Sequence, residues 1–256
     1  MSDAAHEFAV VCEARADRDA ACGLADRVLL EEVDWLAPET LDSCRKWRGR
    51  TSEEPFLRWA SVRDEFQSTG IKGIFGGFGG QPGALDAHAA RRALLLLASS
   101  KHLPDAVLLV RDSDGNPERR TGLEQARDAR KWPFPVVIGL AEPKRECWVL
   151  VGFEPRTEEE KAQLQKEERR LSFHPVRDAH QLTAREHGAK KDAKKALEAL
   201  TRGDPERERV CLEETPLGTL STLGRETGLA AYLQDVRERL VPILGGHRAP
   251  GAHSPP

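Results

Sequence analysis

The sequence predicts an α/β protein, with a mostly parallel sheet flanked by helices and followed by a C-terminal helical region. Three apolar runs, at residues 8–12, 105–110 and 135–140, have the composition of strands that are buried on both faces. Segments with helical periodicity separate these runs, and strands that alternate with helices are typical of parallel sheets. Beyond residue 154 the chain becomes rich in charged residues, which favours helices with exposed faces.

The first half of the chain opens with a predicted strand at residues 8–12 and a predicted helix at 14–32. Aromatic residues are spread among charges in residues 34–70, which predicts short helices or an insertion. Residues 71–78 have the pattern of a strand that runs into a glycine-rich loop at 76–83, where close approach of a backbone is sterically easy.

The pattern continues with a helix at residues 85–101, whose broad apolar face indicates contact with the sheet. A strand at 105–110 ends in the sequence RDSDGN, and a charged helix follows at 117–131. Two further apolar runs, at 135–140 and 147–153, are predicted to be strands.

These elements predict three regions. Residues 1–153 form the α/β domain, with 34–70 as its possible insertion, and residues 154–246 form the charged helical region. Residues 217–244 regain helical amphipathicity, which predicts that they dock on the core. The tail at 247–256 is rich in glycine and proline and is predicted to be disordered.

Composition excludes several classes of protein. The chain has 256 residues, of which 39% are hydrophobic and 32% charged, as in globular proteins. A net charge of −3 excludes a wholly basic nucleic-acid-binding protein, and the longest apolar run is too short to span a membrane. Five scattered cysteines without a CxxC pair argue against a zinc ribbon or a disulfide framework, and we expect a cytoplasmic protein.

Three carboxylates follow predicted strands. Glu13 comes directly after the first strand, and Asp112 and Asp114 come after the strand at 105–110. In parallel sheets ligands bind beyond the carboxyl ends of the strands, and alternate residues of an extended segment point to one side. Oxygen ligands without histidine or cysteine select Mg²⁺ or Mn²⁺. The same DSDG sequence is also a good turn, so a purely structural role stays open.

Two segments resemble motifs of the Toprim superfamily. VCEARAD at residues 11–17 is similar to its first motif, and LLVRDSDG at 108–115 is similar to its second. The resemblance implies that Glu13, Asp112 and Asp114 surround the metal used for chemistry on nucleic acids. Asp17 matches a less regular acidic position of the first motif.

A third segment, AEPKRECWVLVGF at residues 141–153, looks like a stretch of small Toprim-related proteins in which a glutamate opens a strand beside the metal. The resemblance implies Glu142 and Glu146 as further metal ligands. It places the chain near the nucleases of OLD-type ATPase systems and near Toprim-like proteins of bacterial antiphage defence. Ala14 replaces the usual glycine after the first glutamate, and Tyr232 is the only tyrosine, which argues against topoisomerase chemistry.

Basic residues near these motifs are candidates for nucleic-acid binding. Those next to the acidic positions are Arg15, Arg111, Lys144 and Arg145. A second group, Lys190, Lys191, Lys194 and Lys195, would form one stripe if residues 185–195 were helical, and its first three members are the candidates for binding. A solvated helix face is the simpler interpretation of that stripe.

Three hypotheses for function follow. The first is a Mg²⁺- or Mn²⁺-dependent nuclease that hydrolyses phosphodiester bonds of DNA or RNA. The second is a non-catalytic Toprim-like subunit that binds metal or nucleic acid and works with a separate ATPase or another defence-system subunit. The third is phosphotransfer in a response-regulator-like domain, which would need the acidic pair after the first strand. No membrane partner is expected, and a homo-oligomer stays open.

Overall fold

The chain forms a single parallel sheet with helices on both faces. The computed structural model describes residues 5–71 and 78–245, and every structural statement here concerns those residues. The five strands are β1 (His6–Cys12), β2 (Arg45–Arg48), β3 (Leu57–Arg58), β4 (Ala106–Asp112) and β5 (Val136–Ala141). Their order is β2-β1-β4-β5, and β3 pairs with the last residues of β1. All pairs are parallel, so the predicted α/β class is confirmed.

Helices connect and cover these strands. In the first half they are α1 (Arg15–Glu32), α2 (Pro38–Cys44), α3 (Val62–Ser68), α4 (Ala84–Ala98), α5 (Glu118–Asp128) and α6 (Arg145–Leu150). In the second half they are α7 (Glu158–Leu171), α8 (Ala193–Thr201), α9 (Pro205–Glu213), α10 (Leu217–Leu223), α11 (Leu229–Arg239) and α12 (Val241–Gly245), with a short 3₁₀ helix at Ala179–Gln181.

Both faces of the sheet are buried, which explains the continuous apolar runs. Phe8 and Val10 of β1 pack in one core with α1 and the C-terminal helices. Ala9 and Val11 point to the other face and pack in a second core with α3, α4 and α5. The central strands therefore lie between two helical layers, and polar groups reach solvent mainly at the strand ends.

The segment at 34–70 contributes strands to the sheet. β2 pairs with β1 from His6 to Ala9, and Trp47 packs against Phe8 with their ring centroids 5.2 Å apart. The Trp47 indole donates a hydrogen bond of 3.0 Å to Asp26 on α1. Four residues are too few to show strand periodicity among neighbouring charges, which is why the sequence pattern did not indicate β2.

The prediction of a strand at 147–153 is wrong, because the chain there forms α6. Its residues from Cys147 to Leu150 are all buried, so this part of the helix is apolar on every side and the run shows no helical periodicity. A short continuous apolar run fits a buried helix as well as a buried strand. Trp148, expected in the core, is 1% exposed and stacks on Tyr232 with centroids 5.1 Å apart.

The C-terminal helices complete one face of the molecule. The predicted helical pattern at 217–244 corresponds to α10, α11 and α12, and α11 lies against β5. The Tyr232 hydroxyl donates a hydrogen bond of 2.7 Å to the carbonyl of Ala21 on α1, which ties α11 to the first helix. The predicted disordered tail at 247–256 and most of the predicted strand at 71–78 lie outside the described residues.

Two expectations about the whole chain can be compared with this structure. All five cysteines are free, and four of them are buried. Over the two described ranges, no helix has both the length and the apolar character needed to cross a membrane.

The contact between α4 and α5 gives a test of the fold. A Cβ atom on Gly122 of α5 would lie 2.3 Å from the carbonyl oxygen of Gly83 and 2.9 Å from Cβ of Asp86. We expect Gly122→Ala to lower the free energy of unfolding by about 1–3 kcal/mol, because the two backbones would have to separate. Urea unfolding followed by circular dichroism measures this change.

A matched substitution in α1 serves as the control. Gly23 lies within α1, and a Cβ atom added there would have no neighbouring atom within 4 Å, so Gly23→Ala adds the same group to open space. We expect it to raise stability by about 0.5–1 kcal/mol, since alanine loses less backbone entropy in a helix. Equal effects of the two substitutions would contradict the close contact.

Candidate functional site: an acidic crevice at the carboxyl edge of the sheet

The sheet brings two acidic strand ends together. Parallel pairing between β1 and β4 runs up to Val11 and Leu109, so both strands end at the same edge. Glu13 follows β1 directly and is exposed, whereas Asp112 is the last residue of β4. The adjacency that the sequence argument required is therefore present, at the edge where parallel sheets bind ligands, and we call this group of acidic strand ends and their neighbours the crevice.

Asp112 carries the most perturbed carboxyl group of this crevice. Burial raises the pKa of Asp112 to about 7, although the backbone N–H of Arg145 donates a hydrogen bond of 2.8 Å to its Oδ1 atom. The negative charges of Glu146, Asp17 and Asp114 raise this pKa further. Burial and the nearby negative charges therefore both favour the protonated form of Asp112.

Asp17 accepts a hydrogen bond from the backbone of Ala14 and also lies close to the positive charge of Arg145. It lies in the first turn of α1, where its Oδ2 atom accepts a hydrogen bond of 2.9 Å from the backbone N–H of Ala14. Burial raises the pKa of Asp17, while the Ala14 hydrogen bond and the charge of Arg145 oppose that shift. One carboxylate oxygen caps the helix, so the other is the one available to the crevice.

The Arg145 side chain sits among acids. Its guanidinium nitrogens lie 3.7 Å from Asp17, 3.5 Å from Glu146 and 3.9 Å from Glu208. The contact with Glu146 is a long hydrogen bond, and the other two distances are beyond hydrogen-bond range, so those contacts are electrostatic. Arg145, which the sequence predicts to bind nucleic acid, supplies positive charge to the acidic side chains around it.

Five side chains of alternating charge are linked by ion pairs at this edge, and we call them the charge chain. Arg111 Nε lies 3.4 Å from Glu13, and Arg111 Nη1 donates a hydrogen bond of 2.8 Å to Asp86. Arg119 Nε lies 3.3 Å from the same oxygen of Asp86, and Arg119 Nη1 donates a hydrogen bond of 2.9 Å to Asp114. The charge chain therefore connects Glu13 and Asp114, the two outer acids of the predicted site, through the buried carboxylate of Asp86.

Sequence reasoning missed Asp86 and Arg119. Asp86 is at the start of α4, where an acid is expected for the helix dipole alone, and it is only 6% exposed. Arg119 belongs to α5, whose many charges gave no reason to single it out. Only the tertiary contact between the first turns of α4 and α5 brings them together, and no local pattern encodes that contact.

The segment after Asp112 is a turn rather than an extension of the strand. Asp114 has a φ of 49° and Gly115 a φ of 68°, so two consecutive residues adopt left-handed conformations. The expectation that Asp112 and Asp114 face one side because the segment is extended is wrong, since aspartate and glycine here favour a turn. The two carboxylates nevertheless remain close enough for Asp114 to raise the pKa of Asp112.

Glu142 lies apart from this group. Its Oε1 atom accepts hydrogen bonds of 2.7 and 3.1 Å from Arg120. It lines a cavity of about 460 Å³ together with residues such as Ser113 and His180. Glu146, in contrast, contributes charge at Asp112. Neither glutamate opens a strand, since β5 ends at Ala141 and α6 follows.

The predicted basic residues occupy different places. Arg15 is exposed at the start of α1 and lies 3.4 Å from Asp19, and Lys144 precedes the first turn of α6. The predicted helical stripe is wrong for the two lysines before Asp192, because Asp192 caps α8 and the helix begins at Ala193. The four lysines of that stripe are all exposed, and they are Lys190, Lys191, Lys194 and Lys195.

Within residues 5–71 and 78–245, no three His, Cys, Asp or Glu side chains are placed so that they could hold a metal ion together. The outer acids of the predicted site instead face arginines, as described for the charge chain. Comparisons of the chain with family models, curated proteins and solved structures found no match. A function for the chain therefore has to follow from its own side chains.

The pKa of Asp112 predicts how stability depends on pH. A raised pKa means that the folded state binds a proton more tightly than the unfolded state, so stability falls as pH rises from about 4 to about 7. Asp112→Asn removes this loss. We expect its advantage in unfolding free energy over the wild type to grow by on the order of 2 kcal/mol between pH 4 and pH 8.

Urea unfolding of both proteins in buffer with EDTA measures this difference. Asp128→Asn is the control, because Asp128 is exposed at the end of α5. It removes the same charge away from the crevice, so the comparison isolates the effect of the site of Asp112. An advantage of Asp112→Asn that is the same at pH 4 and pH 8 would contradict a buried, destabilised carboxylate.

Proposed function

We propose that the chain is a Toprim-like, Mg²⁺- or Mn²⁺-dependent nuclease that hydrolyses phosphodiester bonds of DNA or RNA. The observation that carries the proposal is the state of Asp112 at the end of a central strand. Its carboxyl has a pKa of about 7 because it is largely buried and lies among further carboxylates. A cluster of this kind favours a cation, and perturbed groups in a crevice are typical of functional sites.

The arrangement of the two motifs supports the proposal as well. A glutamate after β1 and an Asp-x-Asp sequence that begins with the last residue of β4 lie at neighbouring strand ends, as the Toprim resemblance requires. The proposed metal ligands are Glu13, Asp112 and Asp114. They offer only carboxylate oxygens, and these are the donors that Mg²⁺ and Mn²⁺ prefer. The donor chemistry therefore fits the metal.

Metal binding would have to separate two of the proposed ligands from the arginines with which they are paired in this structure. Glu13 and Asp114 are about half exposed, so both can turn away from their arginines without unfolding the crevice. Asp112 has to be ionised, and a nearby cation would lower its pKa. When bound, the metal would orient the phosphate and lower the pKa of the attacking water.

Other acids have supporting roles in this proposal. Asp17 and Glu146 add negative charge at Asp112 without leaving their own partners. Glu142 is held by Arg120 and is the least suited of the acids that the sequence predicts as metal ligands. Exposed basic groups at the crevice edge, such as Arg15, favour contact with a nucleic-acid backbone.

A second function has an observation in its favour. Arginines already neutralise the acids in this structure, which suits a subunit that binds without catalysis. In that case the chain would work with a separate ATPase or another subunit of a defence system. We keep the cytoplasm as the expected compartment and leave self-association open.

Nicking of supercoiled plasmid by the purified protein tests the nuclease proposal. We expect nicking with Mn²⁺ or Mg²⁺, none with EDTA, and a loss of roughly 100-fold or more in Asp112→Asn, because the variant loses a charged ligand. Asp128→Asn, which removes the same charge from an exposed site, should keep wild-type activity.

Three results would bear on the two functions differently. Metal-independent nicking, or full activity in Asp112→Asn, would contradict the nuclease proposal. A folded wild type that binds Mn²⁺ and nicks neither DNA nor RNA would favour the partner-dependent subunit.

A further inference from the structure

The centre of the charge chain is a buried acid that holds two arginines. Asp86 is 6% exposed, and its Oδ1 atom lies 2.8 Å from Arg111 Nη1 and 3.3 Å from Arg119 Nε. A buried carboxylate with two cationic partners is costly to separate from either of them. Asp86 therefore keeps both guanidinium groups side by side at the crevice.

Other contacts fix each arginine independently. The Arg111 guanidinium lies over the Trp59 ring, 5.3 Å from its centroid, and the Trp59 indole donates a hydrogen bond of 2.7 Å to the carbonyl of Val110. Arg119 Nη1 also donates to the backbone carbonyl of Asp112. Both side chains are mostly buried, with 19% and 14% of their surface exposed. The arginines are thus positioned before any ligand arrives.

Both arginines have unused donor capacity. In the part of the chain that the structure describes, the buried Nε atoms of Arg111 and Arg119 make no hydrogen bond. Their nearest carboxylate oxygens, at 3.4 and 3.3 Å, are in ion-pair contact without hydrogen-bond geometry. Buried donors without a hydrogen bond are unusual in folded proteins and point to a ligand or a change of partner.

Metal binding would free the outer side of both arginines. The outer acids, Glu13 and Asp114, are 49% and 47% exposed, whereas Asp86 is buried. If the outer acids turn to a cation, Arg111 and Arg119 keep Asp86 and lose their exposed partners. Two adjacent guanidinium groups beside a divalent cation form a site for a phosphate.

We propose that Arg111 and Arg119, positioned by Asp86, bind a phosphate of the nucleic-acid backbone, and that they do so when Glu13 and Asp114 hold the metal. The inference deepens the proposed nuclease function, on which its metal-coupled part rests. Its consequence is reciprocal coupling, in which metal tightens DNA binding and DNA tightens metal binding.

DNA binding measured by fluorescence anisotropy tests this inference without turnover. The probe is a short fluorescein-labelled DNA duplex, with Ca²⁺ as the oxygen-seeking cation or with EDTA. We expect the wild type to bind more tightly with Ca²⁺. In Ca²⁺, Arg119→Gln should bind roughly 10-fold more weakly or worse, because charged hydrogen bonds to the phosphate are lost.

Two further variants separate charge from geometry. Arg119→Lys keeps the charge but loses the planar fork, so we expect intermediate affinity. Asp86→Asn keeps both arginines but releases them, so affinity should fall while the salt dependence stays that of the wild type. In Arg119→Gln the salt slope should decrease by about 1, as for one lost phosphate contact. Circular dichroism and thermal unfolding check that each variant is folded.

Arg130→Gln is the matched control. Arg130 is exposed beyond the other end of α5 and stacks over Trp132, so its removal deletes the same charge far from the crevice. It should bind DNA as the wild type does.

The outcomes distinguish this inference from the nuclease proposal. Wild-type affinity in both Arg119 variants, or no DNA binding by the wild type, would overturn the phosphate site. Metal-dependent nicking together with normal DNA binding in Arg119→Gln would leave the nuclease and remove the inference. Binding that depends on Arg119 without nicking in any metal would leave the phosphate site and remove the nuclease.

Discussion

Parallel pairing between β1 and β4 determines where the strand-end acids of the crevice lie. The two strands end together, so Glu13, which follows β1, and Asp112, which ends β4, emerge at one edge of the sheet. Pairing of β4 with β5 continues to Asp112 and Ala141, which brings the start of α6 to the same edge. Both strands are buried on both faces, so their positions are fixed by the two cores rather than by the polar groups. The crevice is a consequence of sheet architecture.

Electrostatics then decides the state of this edge. Burial and, to a smaller extent, the surrounding carboxylates raise the pKa of Asp112, and Arg145 offsets part of the negative charge. Arg145 lies beside Asp17 and Glu146. Arg111 pairs with Glu13, and Arg119 pairs with Asp114. In the proposed function, a metal ion or a phosphate would bind beside the acids that these arginines now contact. The proposed function requires the acids to exchange their arginine partners for a metal ion, and it does not require the backbone to move.

The sequence predicted the parts of this structure that depend on local pattern. The strands β1, β4 and β5 were evident as apolar runs, and the acids that follow two of them were evident as neighbours of strand ends. α6 was predicted to be a strand because burial on all sides removes helical periodicity from Cys147 to Leu150. Asp86 and Arg119 gave no signal, because their importance comes from the contact of two helices distant in sequence.

The central claim is that a divalent cation replaces the proton of Asp112 and replaces the arginine partners of Glu13 and Asp114. A crystal soaked in Mn²⁺ tests it most directly through an anomalous difference map. We expect a peak about 2.1 Å from an oxygen of Asp112 and of Glu13 or Asp114, with Arg111 and Arg119 still in contact with Asp86. Absence of a peak at this edge in saturating Mn²⁺, with the outer acids still paired to their arginines, would contradict the account.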